Sequence, residues 1–142
     1  MATAQIVIDT NVLVSGLRSR RGSAFRLLTR VGTGQFDIYL SVPLVWEYEE
    51  VLLRELPHLQ VTRGTVEDLI DFHCSVATCH PIFFLWRPFL PDPGDDMILE
   101  LAVKAGCEFI VTYNTRDFAK VEQFGIRVIE PEAFLQHIGA LP

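Results

Sequence analysis

Acidic and amide side chains in this sequence gather where apolar runs stop. Asp9, Thr10 and Asn11 follow the β-branched run "IVI". Glu47, Glu49 and Glu50 ride a helix-patterned stretch. Asp92, Asp95 and Asp96 precede or begin another, and Asn114 and Asp117 follow "CEFIVT". Ordinary explanations exist for most of them. Asp95 or Asp96 can cap a helix, Asp117 can form an Asx-turn, and the glutamates can be a solvated face. Asp9 resists such an account. An ionised carboxylate closing a buried strand requires a compensating partner, and the arginines arrive a turn or more later in sequence. A divalent cation is the simplest partner for several converging carboxylates. Oxygen-only donors select hard ions, Mg²⁺ or Mn²⁺, over zinc. Such ions serve phosphoryl transfer or phosphodiester hydrolysis. A Walker-type glycine loop is absent, which argues against nucleoside triphosphate hydrolysis.

The elements that must place these groups alternate along the chain. Residues 5–9 read as a buried strand, 12–18 as a short helix, and 22–32 as a longer one ending near Gly32 and Gly34. "FDIYLS" (36–41) reads as a second strand. Pro43 opens a helix to about residue 55, with Leu44, Val45, Tyr48, Val51 and Leu52 as its apolar stripe. On that wheel Glu50 points away, while Glu47 and Glu49 sit on the two margins. A helix over 65–79 carries Val66, Leu69, Ile70, His73, Val76 and Ala77 on one face, so His73 reads as a core or interface histidine. "PIFFLWRPFLPDPGDD" suggests a short edge strand and then a loop. Residues 95–105 form a helix ending at Gly106, 107–112 a buried strand, "YNTRDF" a loop, "IRVIEP" a last short strand, and 131–138 a terminal helix. This order implies a mostly parallel sheet with helices on both faces. Loops after strands then share one rim, and four separate segments send acids or amides to it.

Bulk properties narrow the class. A chain of 142 residues, 49% hydrophobic and 21% charged, fits one globular domain over residues 1–142. No apolar run reaches membrane-spanning length and no signal peptide is visible, which predicts a cytoplasmic protein. The net charge of −6 argues against a simple electrostatic nucleic-acid binder. Yet Arg18, Arg20, Arg21, Arg26 and Arg30 fall within thirteen positions and offer a local basic patch. Phosphate binding and a solvated face weigh equally there. For Arg116, phosphate contact and neutralisation of Asp117 weigh equally too. Three cysteines, Cys74, Cys79 and Cys107, suit free thiols. On one continuous helix, His73-Cys74 and Cys79-His80 would diverge, which argues against zinc. Trp46 and Tyr113 could stack on bases, but beside apolar runs they read better as core.

Four motifs together carry a family resemblance: "VIDTNVLVSGL", "LSVPLVWEYEEVL", "DPGDDMILELAVKAGCEFIVTYNTRDF" and "GIRVIEPEAFL". In this order and spacing they resemble the PIN-domain family, and most closely its VapC-like branch of toxins from toxin–antitoxin pairs. The resemblance covers Ile6 to about Leu135. It implies a three-layer α/β/α sandwich around a parallel sheet and a Mg²⁺- or Mn²⁺-dependent ribonuclease. Asp9 matches the family's first acid and Glu47 the second. Asp96 matches the third, with Asp95 as a supporting neighbour. At the fourth position Asn114 stands where many members have aspartate, and Asp117 resembles the second acid of that motif. Thr10 and Asn11 match supporting positions. The resemblance therefore implies catalytic roles for Asp9, Glu47, Asp96, Asn114 and Asp117, with the four acids among these as metal ligands. Arg18, Arg20, Arg21 and Arg116 are the candidate RNA contacts. An RNA substrate, a small antitoxin and a homodimer are the implied partners, with the helices at 43–55 and 65–79 as candidate dimer surfaces. The Asn114 departure leaves a second reading open, a catalytically weakened PIN domain that binds RNA or protein. A phosphatase of haloacid-dehalogenase type would want aspartate at position 11, where Asn11 stands.

Overall fold

Successive β-branched residues start the fold. In the computed structural model, which describes residues 3–81 and 93–141, Ala4–Ile8 forms strand β1, with Ile6, Val7 and Ile8 fully buried. Burial of consecutive residues means that both faces of β1 are covered, as a central strand requires. Phe36–Leu40 (β2), Thr78–Cys79 (β3), Phe109–Val111 (β4) and Arg127–Ile129 (β5) complete the sheet. The strand order is β3-β2-β1-β4-β5, and every pairing is parallel.

Helices α1 (Thr10–Arg18), α2 (Ser23–Thr29), α3 (Val42–Arg54), α4 (Arg63–Val76), α5 (Pro93–Ala105) and α6 (Pro131–His137) cover the sheet. Crossovers between parallel strands are right-handed. The chain steps one way from β1 through β2 to β3, then reverses to reach β4. That reversal puts α5 on the face opposite α1–α4, which makes the three-layer α/β/α sandwich. Phe134 of α6 closes the core edge-on to Phe36 and Phe109, each at 5.4 Å between ring centres. Gly16 lets α1 and α2 approach closely: a Cβ there would lie 2.5 Å from Leu28 Cδ1.

Polar residues start the helices on the rim side. Ser41 caps α3 by accepting from Leu44 N, and Thr62 caps α4 by accepting from Thr65 N. Ile8 pairs with Val111, and Asp9 N donates to Val111 O at 2.9 Å. Asp9 and Thr112 therefore leave the sheet side by side, where β1 and β4 diverge toward opposite neighbours. This switch point is where open parallel sheets place their crevice.

The structure revises the pattern in several places. The helix expected over 65–79 stops at Val76. Ala77 turns extended, and Thr78–Cys79 pairs with β2 as an edge strand, tied further by His80 N to Leu40 O at 2.8 Å. Edge pairing of a β-branched residue overrode helical periodicity there. His73-Cys74 and Cys79-His80 thus lie on different elements, not on one helix. The loop expected at "YNTRDF" contains a 3₁₀ turn (Thr115–Phe118), and a second 3₁₀ turn follows it (Val121–Phe124). The edge strand expected early in 81–96 falls on residues 82–92, outside the described residues. His73 is buried, which rules it out as part of a dimer surface, while Phe72 and Val76 of α4 are exposed. Trp46 is 76% exposed and Tyr113 38%, so neither is core. Among the described residues, no helix is long and apolar enough to cross a membrane.

Candidate active site

The carboxylate of Asp9 is fixed by both of its oxygens. Oδ1 accepts from Thr10 N at 2.7 Å, as the cap of α1, and Oδ2 accepts from the Thr112 hydroxyl at 2.7 Å. That hydroxyl in turn accepts from Asn11 Nδ2 at 3.2 Å and Asn114 N at 3.0 Å. Asn11 Oδ1 accepts from Tyr113 N at 3.2 Å. One buried threonine thus ties the end of β1 to the loop after β4. Its sequence signal was its place at the end of "IVT", beside the rim.

Glu47 reaches the same place from α3, where its Oε2 accepts from the Thr10 hydroxyl at 2.5 Å. Tyr48, the next residue, is buried and donates its phenol to Ile8 O. Burial pushes the Tyr48 pKa well above its usual value, and the negative charges of Asp9, Glu47 and then Cys74 push it further. The phenol therefore stays a neutral donor, holding the β1 end from below. Of the two marginal glutamates on α3, Glu47 enters the site. Glu49 and Glu50 are exposed and line a separate shallow depression with Trp46 and Leu53.

Together these groups line a cavity of about 480 Å³. Asp9, Thr10, Asn11 and Glu47 form its floor side, with Asp95 from α5 and Tyr113 and Asn114 from the loop after β4. Ser15 and Arg18 of α1, and Val51 with Glu55 below Glu47, complete the wall alongside Val14. Among the described residues of this lining, four carboxylates accompany one guanidinium. Glu55 was missed by sequence reasoning, although Glu47, Val51 and Glu55 recur every four residues and so share one helix face. Ser15 was missed likewise, four residues after Asn11.

Not every expected residue converges. Adjacent helix positions point about 100° apart, so Asp95 and Asp96 present their carboxylates in different directions. Asp95 is buried and lines it, while Asp96 is partly exposed and does not. Asp117 sits on the 3₁₀ turn, with its N–H on Asn114 O at 3.0 Å, and also lies outside the lining. Arg18 is the arginine of the basic stretch that enters. Arg20 borders a different, apolar pocket of about 270 Å³ with Leu17, Phe25, Leu28 and Leu69. Arg21 and Arg116 are exposed and line neither.

The donors suit a hard divalent ion, since all are oxygen. Among the described residues, no three His, Cys, Asp or Glu side chains cluster closely enough to hold an ion by themselves. Mg²⁺ does not demand that: it keeps waters and binds through one or two carboxylates plus substrate phosphates. Asp9 with Glu47 or Asp95 fits this requirement.

The fold has relatives. The VapBC2 crystal structure from Rickettsia felis, bound to a DNA fragment from their promoter, superposes with a TM-score of 0.60 at 13% identity. The match covers 88% of this chain and 98% of that one, and at this identity it bears on fold alone. No curated protein matches the sequence. The family model described as PIN domain matches residues 5–116, a span that contains every residue lining the cleft. The chain belongs to the PIN-domain family.

Proposed function

We propose that this protein is a metal-dependent ribonuclease and the toxin half of a toxin–antitoxin pair. The observation that carries the reading is that Asp9, Glu47 and Asp95, from three separate elements, line one cleft at the sheet's switch point. Asp9 with Glu47 or Asp95 would hold Mg²⁺ or Mn²⁺, the remaining ligands being water and substrate phosphate, with Asp95 taking the place that the motif alone gave to Asp96. Such an ion, when bound, supplies positive charge to the phosphate oxygens and lowers the pKa of water. The chain's own groups do the rest. Thr112 and Thr10 hold the Asp9 and Glu47 carboxylates in fixed orientations. Glu47 orients the attacking water, and the Asn114 amide oxygen accepts a hydrogen bond from it without adding charge. Arg18 binds a flanking phosphate. Hydrolysis adds this water across a P–O bond, one proton leaving the water and one reaching the departing oxygen.

The acid-rich cleft also suits inhibition by a small antitoxin that inserts a basic side chain, by charge complementarity. The Rickettsia felis neighbour is named as VapBC2 with promoter DNA, and supports that partnership by analogy of fold. Exposed Val42 and Trp46 on α3, and Phe72 and Val76 on α4, are the candidate homodimer surface.

The test is incubation with a pool of structured and single-stranded RNA in Mg²⁺, Mn²⁺ or EDTA. Asp9→Asn and Asp95→Asn serve as controls. Cleavage that needs metal and disappears in both variants supports the reading. Wild type no better than its variants sinks it and favours the weakened binding domain, with Asn114 as the cause.

A further inference from the structure

Among the described residues, Tyr113 is the one aromatic side chain in the wall of the acid cleft. At 38% exposure it contributes little to the core. Its backbone is nonetheless pinned. Tyr113 N donates to Asn11 Oδ1 at 3.2 Å, Asn11 Nδ2 donates to Thr112 Oγ1 at 3.2 Å, and Thr112 donates to Asp9 Oδ2 at 2.7 Å. The root of the ring is therefore held in register with the carboxylate that centres the site.

A charge problem gives this ring a purpose. Among the described residues, four carboxylates against one guanidinium work against an approaching phosphodiester strand. Arg18 and a bound cation offset only part of this, so an attraction that does not depend on charge adds to the hold on the strand. Stacking on an aromatic face does so for any base, since every base has a π-face. Trp46 is more exposed, but it shares its depression with Glu49 and Glu50 and does not line the acid cleft.

We infer that Tyr113 is a stacking platform for the nucleobase beside the phosphate presented to Asp9, which requires that nucleotide to be unpaired. The inference takes its ligand from the nuclease reading. A base held in a duplex cannot offer its face to the ring, so the site selects single strands or loops.

Fluorescence anisotropy with a short single-stranded RNA, and with its singly abasic forms, tests this. Binding is measured in Ca²⁺, a hard ion suited to the same oxygen donors. Wild type should bind one abasic form about 10-fold more weakly than intact RNA. Tyr113→Ala should weaken intact RNA by the same factor and show no further loss at that abasic position. Tyr113→Phe, which keeps the aromatic face, should behave as wild type. An abasic penalty of equal size in wild type and Tyr113→Ala overturns the inference, as does RNA that does not bind at all. Cleavage assays in Mg²⁺ separate this from the parent reading. Metal-dependent cleavage indifferent to Tyr113 and to missing bases keeps the nuclease and overturns the platform. The paired loss at Tyr113 without any cleavage keeps the platform and sinks the nuclease.

Discussion

Asp9 and His73 are both ionisable and both buried, at 5% and 1% exposure, yet their surroundings differ in kind. Asp9 sits at the end of β1 with both carboxylate oxygens held by donors and a cavity in front of it. His73 sits on the packed face of α4. Its Nδ1 meets Leu69 O at 2.9 Å, and its Nε2 has no partner among the described residues. The first arrangement keeps a charge oriented toward incoming ligand. The second tolerates a neutral ring inside the core. Burial of a titratable group therefore does not by itself mark a site. The direction in which its polar atoms are committed does.

The sharpest way to break this comparison is to neutralise each member. Asp9→Asn keeps an oxygen for Thr10 N but removes the charge, so RNA cleavage should fall by about 100-fold or more. Its stability should fall by about 1–3 kcal/mol, because the Thr112 hydroxyl loses its Oδ2 acceptor. His73→Leu should leave cleavage rates unchanged. Initial rates and thermal melts on the same preparations decide it, and equal losses of activity in both variants would dissolve the distinction.

A second test asks whether the cleft wall, and not the motif, identifies the third acid. Asp95→Asn should cost roughly 10-fold to 100-fold in kcat, because it removes a carboxylate lining the cleft. Asp96→Asn should stay within about twofold, as expected of a helix surface position. The reverse order would return the role to Asp96.

Thr112→Val sharpens the comparison from the scaffold side. The hydroxyl joins Asp9, Asn11 and the Asn114 backbone in a fully buried position. Losing it should cost ~1–3 kcal/mol of stability, from the partners left unsatisfied. Activity should fall about 10-fold or more through misplacement of Asp9. Denaturant melts give the first quantity, and kcat at saturating RNA gives the second.

Much of this architecture was legible in the sequence, because parallel strands buried on both faces must be apolar and must stop abruptly at polar residues. "IVIDTN" and "FIVTYN" announced both the strands and the rim. What remained hidden depended on tertiary direction. Asp95 and Asp96 are adjacent, and sequence spacing cannot say which one a helix turns inward. Thr112 looked like the tail of a strand, because a hydroxyl's partners come from distant segments. Trp46 and Tyr113 looked like core, since aromatic residues beside apolar runs usually are, and only packing reveals a side left open. The 65–79 helix was read too long because Thr78 and Cys79 found an edge strand to pair with.

The smallest expected effect concerns His73 and pH. The Leu69 carbonyl can only accept, so Nδ1 carries the proton of the neutral ring and Nε2 is a buried lone pair. Protonating Nε2 would place a charge in the core, and that desolvation lowers the His73 pKa from its usual 6.5, against a smaller opposing pull from the Leu69 hydrogen bond. In the unfolded chain the ring takes up its proton near its ordinary pKa, before the folded form does. Stability is therefore complete above about pH 6.5 and is lost as pH falls toward the folded value. His73→Leu removes both the titration and the unsatisfied nitrogen. The variant should be as stable as wild type or up to ~1 kcal/mol more so near neutral pH. Its advantage should widen on acidification, where other groups titrate equally in both proteins. Melts of the two proteins from about pH 7.5 to 5.5 give the difference directly. A difference that stayed constant across that range would mean that the ring gains a partner on protonation, and His73 would then belong with Asp9 as an oriented group.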